Sequence, residues 1–184
     1  ATLPVTGYVV GGALSTALVA RSQARWGRKR SFQAGLLVAA VSAALCAYAV
    51  STHSFWLLMA TTVVAGFYSA NASLYRFAGP ELAAPAFHEK AISLVLAGGI
   101  IGAFVGPNLA SATRTLLPVE FAGAYLSLVV VALLSLLAMS FIRFPVHVAR
   151  APGAASGRPL REIVRQPIFV VAVLASALGY GVMN

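Results

Sequence analysis

A chain of 184 residues that is 60% hydrophobic and only 9% charged stands far from a water-soluble domain, in which about a quarter of residues carry charge, and a chain this short cannot hide so much apolar surface from water. The net charge of +9 raises nucleic-acid binding, but the cations sit in short segments beside long apolar runs, where membrane topology puts them, and no nucleic-acid-binding pattern is present. Composition alone therefore assigns the chain to a lipid bilayer.

Six apolar runs follow one another, at about 3–20, 31–50, 55–76, 91–112, 121–142 and 167–184. Each is close to the roughly 17–25 residues that a helix needs to cross hydrocarbon. A barrel strand would need only about 9–11 residues of alternating polarity. The fold class predicted is an all-α membrane protein of six transmembrane helices. The first run lacks a basic leader and a cleavage site, so it does not read as a signal peptide. It carries Gly7 and Gly11, four apart, a spacing that lets helix backbones approach closely. The segment 21–30 then holds five cations in ten positions.

The second run is lined with Ala39, Ala43 and Ala47, and it holds Cys46, the single cysteine, which has no disulfide or metal-ligand partner and reads as a small packing residue. In the third run Tyr68, Asn71 and Tyr75 recur at i, i+3 and i+7, one helical face, and Arg76 closes the run. Polar groups in a membrane span are costly unless they pair or face a cavity. Asn71 is thus a candidate for a solute hydrogen bond, or else for an interhelical one. Arg76 either draws in a polar or anionic solute or extends its head to the interface.

The fourth run has glycines at 98, 102 and 106, followed by Pro107, a residue that removes a backbone hydrogen bond and tends to bend a helix. Asn108 and Gln33 read as structural. The first and fourth runs are both glycine-dense, lie three helices apart and cross in opposite senses, which is the form of an inverted repeat. The segment 143–166 is the longest connection and the richest in Pro, Gly and charge. It predicts a division between five helices at 1–142 and a last helix at 167–184, with a short amphipathic helix near Leu160–Arg165 inside the connection. In the last run Ser176, Tyr180 and Asn184 follow i, i+4 and i+8 on one face.

Charge sets the orientation. Of the thirteen Lys and Arg residues, twelve lie in 21–30, in 77–90 with Arg76 at its edge, and in 143–166; Arg114 is the other. Those three segments are therefore expected on the cytoplasmic side of the inner (plasma) membrane. Ala1 and Asn184 then both fall outside, which predicts one helix before Ala1 and others after Asn184.

These residues carry a resemblance. The segment Ala20-Arg-Ser-Gln-Ala-Arg-Trp-Gly-Arg-Lys-Arg30 resembles the signature between helices two and three of the major facilitator superfamily, Gly-x-x-x-Asp-Arg/Lys-x-Gly-Arg/Lys-Arg/Lys-Arg/Lys. Arg25, Gly27, Arg28, Lys29 and Arg30 match it, while Ala20 replaces its glycine and Ala24 its acid. Gly102-x-x-x-Gly106-Pro107 is similar to the motif of family helix five, and 143–166 looks like the central loop between two six-helix halves. The resemblance implies family helices two to seven, an N-terminal half lacking its first helix plus the first helix of the C-terminal half. It implies a secondary transporter that moves a small organic solute by alternating access. Tyr68, Asn71, Tyr75 and Arg76 with Ser176, Tyr180 and Asn184 would line the cavity, Arg25 to Arg30 would form a cytoplasmic gate loop, and Gly102, Gly106 and Pro107 a helix bend. Ala24 cannot make the motif acid's contacts, so Arg25 and Arg28 are expected to hold the loop at the lipid headgroups.

Other classes fit less well. The chain has no Asp, its four Glu residues lie in connections, and His53, His88 and His147 lie in connections or at their edges. No general base or metal set falls inside a span, so no enzyme, metal or cofactor is predicted, and no proton relay is visible. The remaining alternative, a non-transporting scaffold or channel, would call for a polar filter or a ring of charge, which the sequence lacks. The partners predicted are the bilayer, a small polar or aromatic solute and the remaining helices of a longer transporter, with no nucleic acid.

Overall fold

The computed structural model describes residues 3–144 and 160–183. Every regular element among them is helical: α1 (Leu3–Ser51), α2 (Phe55–Ala72), α3 (Tyr75–Leu82), a 3-10 turn (Pro85–Phe87), α4 (His88–Thr113), α5 (Ala122–Phe141), α6 (Leu160–Val164) and α7 (Pro167–Met183). Four helical stretches are long and apolar enough to cross a membrane: Leu3–Ser51, Phe55–Leu82, Pro85–Thr113 and Ala122–Phe141; Pro167–Leu178 is a shorter apolar helix. The chain divides into two compact units, Ala1–His147 and Val148–Asn184, and each is considered by itself.

The basic segment 21–30, expected as a loop, is helical apart from one residue. Gly27 has φ 80° and ψ 167°, a conformation that only glycine adopts without strain. As one straight rod, the 49 residues of α1 would be about 73 Å long at 1.5 Å per residue, more than twice the hydrocarbon thickness. Gly27 instead turns α1 back on itself. Ser22 and Ser31, nine residues apart, bring their hydroxyls to 2.6 Å. The two limbs also meet α2 in opposite senses. In the first, Gly7 lies by Thr62 and Gly12 by Ser69; in the second, Gly35 lies by Asn71 and Cys46 by Thr61. The first limb thus runs parallel to α2 and the second antiparallel to it.

The tightest packing is where the first limb crosses α2. A side chain on Gly11 would collide with the Val63 carbonyl, and one on Gly66 with the Gly11–Gly12 backbone. Here the predicted packing role of Gly7 and Gly11 is met by a real neighbour. The glycines of α4 are different: a Cβ at Gly98, Gly102 or Gly106 would meet nothing within 4 Å among the described residues. α4 runs unbroken through Pro107, and the Asn108 amide donates to the Phe104 carbonyl at 2.7 Å.

The third predicted run is interrupted. α2 ends at Ala72, with the Ser73 N–H bonding the Ser69 and Asn71 carbonyls, and α3 resumes at Tyr75 and continues to Leu82 with Pro80 inside it. In the second unit, α6 and α7 fall where an amphipathic turn and a final apolar helix are predicted. Residues 145–159, most of the predicted central connection, and Asn184 lie outside the described residues.

Candidate functional site

The first unit has a basic end and a far end. At the basic end, the turn at Gly27 is tied to two other elements. Arg28 Nη1 lies 3.0 Å from Glu81 Oε1 on α3 and donates to the Phe77 carbonyl at 3.2 Å. Lys29 Nζ donates to the Ser140 carbonyl at 2.8 Å, near the end of α5, and Gln33 Nε2 donates to the Ser140 hydroxyl at 3.2 Å. Arg28 is therefore paired with an acid, a contact that the expectation above did not include. The signature's own acid is absent at Ala24, and the carboxylate that reaches Arg28 comes from another helix. Sequence reasoning missed Glu81 as a partner, although it is the first acid in the chain. Arg25 and Arg30 are exposed.

Beneath this surface lies a buried polar layer. The Ser22 hydroxyl donates to the Val19 carbonyl at 2.9 Å, the Ser31 hydroxyl to Asn71 Oδ1 at 3.1 Å, and the Asn71 amide to the Phe67 carbonyl at 3.3 Å. Ser31 and Asn71 are both 0% exposed. Asn71 thus makes the interhelical bond that was one of its two expected roles, closely packed against Gly35. Tyr75 meets Phe32 edge-on, ring centroids 4.8 Å apart, and Phe32 meets Phe144 at 6.0 Å. The Tyr75 hydroxyl and Gln23 Nε2 are buried without a hydrogen-bond partner among the described residues. Arg76 is exposed, its guanidinium 4.8 Å from the centre of the Phe77 ring.

Toward the far end the helices part around a cavity of about 410 Å³, within the range of roughly 300–1,000 Å³ typical of small-molecule sites. Pro4, Val5 and Tyr8 come from the first limb of α1, and Ala39, Ser42, Ala43 and Cys46 from the second. α2 supplies Thr62, Ala65 and Tyr68, and α5 supplies Tyr125, Leu128, Val131, Ala132 and Ser135. Three tyrosines from three separate helical segments share this wall. Some of its polar groups are already engaged: the Ser42 hydroxyl donates to the Ala39 carbonyl at 3.1 Å and the Thr62 hydroxyl to the Met59 carbonyl at 2.9 Å.

Of the predicted cavity residues, then, Tyr68 lines this cavity, Asn71 and Tyr75 belong to the packed layer at the other end, and Arg76 lies outside both. The regular spacing of Tyr68, Asn71 and Tyr75 does not gather them into one pocket. Ser176 is an exposed residue of α7 in the second unit. Tyr180 lies on α7 with its side chain outside the described residues, as Asn184 is altogether. Tyr8, Tyr125 and Ser135 were not singled out from sequence, because isolated polar residues in separate runs carry no local sign that they converge. Cys46, read as a packing residue, is buried, lines the cavity and lies 3.1 Å from the Thr61 hydroxyl.

Comparison with known proteins follows the same line. The Major Facilitator Superfamily model matches residues 1–184. Riboflavin transporter RfnT of Brucella anthropi is 37% identical over 186 aligned residues, covering 100% of this chain and 46% of that protein. Two uncharacterised MFS-type transporters of Bacillus subtilis, YddS and YdeG, are 30% and 29% identical over 107 residues, each covering 58% of this chain. The chain spans less than half the length of each of these relatives. No solved structure matches it.

Proposed function

The chain belongs to the major facilitator superfamily, and we propose that it forms part of a secondary transporter that carries a flavin-like solute across the membrane by alternating access. The observation that carries this reading is the 37% identity to a riboflavin transporter along the whole of this chain. The family points to a transporter rather than an enzyme.

On this reading the basic end faces the cytoplasm, since cations gather on that side of a membrane. The pair Arg28–Glu81 and the bonds to Ser140 are then contacts that hold the cytoplasmic end closed. They are suited to that work because each is directional and partly exposed, so water can replace it when the end opens. The cavity among the tyrosines supports a solute with a large apolar face. The residues that a polar solute would need, Asn71 above all, are engaged with the protein itself.

The test is uptake of labelled riboflavin by vesicles holding the full-length transporter that contains this chain. Saturable uptake, competed by unlabelled riboflavin and not by ribose, is the expected result. Uptake no greater than in empty vesicles, with the protein present in the membrane, overturns the flavin reading and leaves the transporter reading to be tested on other solutes.

A further inference from the structure

The first limb of α1 carries two chemistries on one face. Leu14, Leu18, Arg21 and Arg25 follow at steps of four, three and four, which a helix of about 3.6 residues per turn gathers into one narrow stripe. The apolar part of the stripe borders a groove of about 360 Å³ where the two limbs meet α2. Gly11, Leu14 and Leu18 line it from the first limb, Val38 from the second, and Val64 and Phe67 from α2. Its one polar side chain, Ser15, is buried. Leu14, Leu18 and Val64 are each more than half exposed, so the groove opens outward, toward whatever surrounds the helices.

The charged part of the stripe stands at one mouth of this groove. Arg21 and Arg25 lie about 5 and 10 Å beyond Leu18 along the helix axis. Both are exposed, and among the described residues neither has an ion pair, a hydrogen bond or a ring contact. Arg28 and Arg114, by contrast, each have a glutamate. A soluble anion would use the cations and leave the groove empty, and an apolar molecule would do the reverse. One ligand that uses both is an amphiphile with an acidic head. Headgroups fill about 5–8 Å beyond the hydrocarbon on each side of a bilayer, so an acyl chain seated in the groove brings its phosphate level with the two guanidinium groups, whose forked donors match phosphate oxygens.

We propose that the groove with Arg21 and Arg25 is a binding site for an anionic phospholipid, one acyl chain against Leu14, Leu18 and Val64 and the phosphate between the two arginines. The leaflet is the cytoplasmic one on the orientation proposed above, where basic pockets between helices hold acidic headgroups. The site itself depends neither on that orientation nor on the solute carried. The lipid is held intact, and no bond is made or broken.

The full-length transporter, purified in detergent, is titrated with dioleoylphosphatidylglycerol and with dioleoylphosphatidylcholine, which has the same chains and no net charge, and bound lipid is counted by native mass spectrometry. The wild type is expected to hold one phosphatidylglycerol about tenfold more tightly than phosphatidylcholine. Arg21→Gln with Arg25→Gln should remove that preference, whereas Arg76→Gln, an exposed cation off the groove, should leave it. Leu14→Trp with Val64→Trp fills the groove from exposed positions and should weaken both lipids severalfold, with an unchanged thermal midpoint in lipid-free detergent as the check on folding. No preference in the wild type, or an equal loss from Arg76→Gln, overturns the proposal in favour of diffuse surface charge. Binding untouched by the groove variant overturns it too, as does a groove covered by another helix of the longer protein, which would leave lipid binding unchanged in every variant. Displacement by glycerol 1-phosphate at the same concentration as the lipid would assign the arginines to a soluble phosphate and overturn the lipid site. Riboflavin uptake enters none of these readouts, so the flavin reading can fail while the lipid site stands, and the reverse.

Discussion

At the basic end of the first unit, the turn at Gly27 is fastened by an ion pair to Glu81, by two bonds to Ser140 and, one layer deeper, by the run of contacts from Ser22 through Ser31 to Asn71. Toward the far end the same two limbs of α1 separate from α2 and α5 around a cavity walled largely by aliphatic and aromatic groups. Between them Gly11 and Gly66 bring two backbones into direct contact. The difference is one of force law. Hydrogen bonds fix a geometry and break abruptly, whereas apolar walls tolerate sliding and refilling. If one end is to open while the other closes, directional contacts belong at the end that must shut in a single arrangement. A rigid glycine crossing then offers a place about which the limbs can tilt.

The largest expected effect removes that crossing. Gly66→Leu puts a side chain where the Gly11–Gly12 backbone stands, and neither backbone can move without dragging its helix. Overpacking typically costs about 1–3 kcal/mol and occasionally more, and a collision with backbone belongs at the upper end of that range. It should appear as a large fall in the thermal midpoint of the detergent-purified protein. Gly102→Ala on α4, where a Cβ meets nothing within 4 Å, should leave the midpoint unchanged or raise it slightly, since alanine is the better helix former by about 1 kcal/mol. Equal losses at the two positions would show that the crossing is not special.

Next in size is Asn71→Leu, which keeps the volume and removes the amide. Ser31, wholly buried, loses Asn71 as its acceptor and keeps the Ser22 hydroxyl at 2.6 Å, so the loss is that of one buried hydrogen bond, about 0.5–1.5 kcal/mol. Interhelical bonds in membranes average nearer 0.6 kcal/mol, so the lower part of that span is expected. Its thermal midpoint should fall, and Ser31→Ala in the same chain should cost less than Ser31→Ala alone, because the bond from Ser31 to Asn71 is then already gone. Equal costs of Ser31→Ala in the two backgrounds would mean that the bond between Ser31 and Asn71 contributes nothing beyond packing.

How far these two ends could be read in advance differs for a physical reason. Apolar length is a local property, so the long runs were legible, as were the packing glycines at 7 and 11. Gly27 was legible as part of a basic signature, but the helix running through that signature was not, because charge density reads as loop. The interruption at Ser73–Leu74 carries no proline or glycine and gave no signal. The Arg28–Glu81 pair joins residues 53 positions apart, and the cavity draws on four stretches between Pro4 and Ser135. Tyr68 was found because a polar group in a span needs a reason. Tyr8 and Tyr125 satisfy the same rule, yet nothing in their own runs points toward each other.

The smallest expected effect is the finest test of the contrast. The side chains of Arg28 and Glu81 are 33% and 43% exposed, so their pair should be worth about 0.2–1 kcal/mol and weaken as salt is raised. Arg28 Nη1 also donates to the Phe77 carbonyl, and Glu81 has no such second role in the observed contacts. Arg28→Gln should therefore cost more than Glu81→Gln, and the excess measures the carbonyl bond. The exchange Arg28→Glu with Glu81→Arg restores opposite charges but not that bond, so it should recover the salt-sensitive part of the loss and leave the remainder. Thermal midpoints at low and high salt separate the two parts. A loss for Arg28→Gln that is no greater than for Glu81→Gln and vanishes in salt would reduce the clasp at this point to charge alone. A loss that salt does not touch would assign it to the carbonyl and leave Glu81 a bystander.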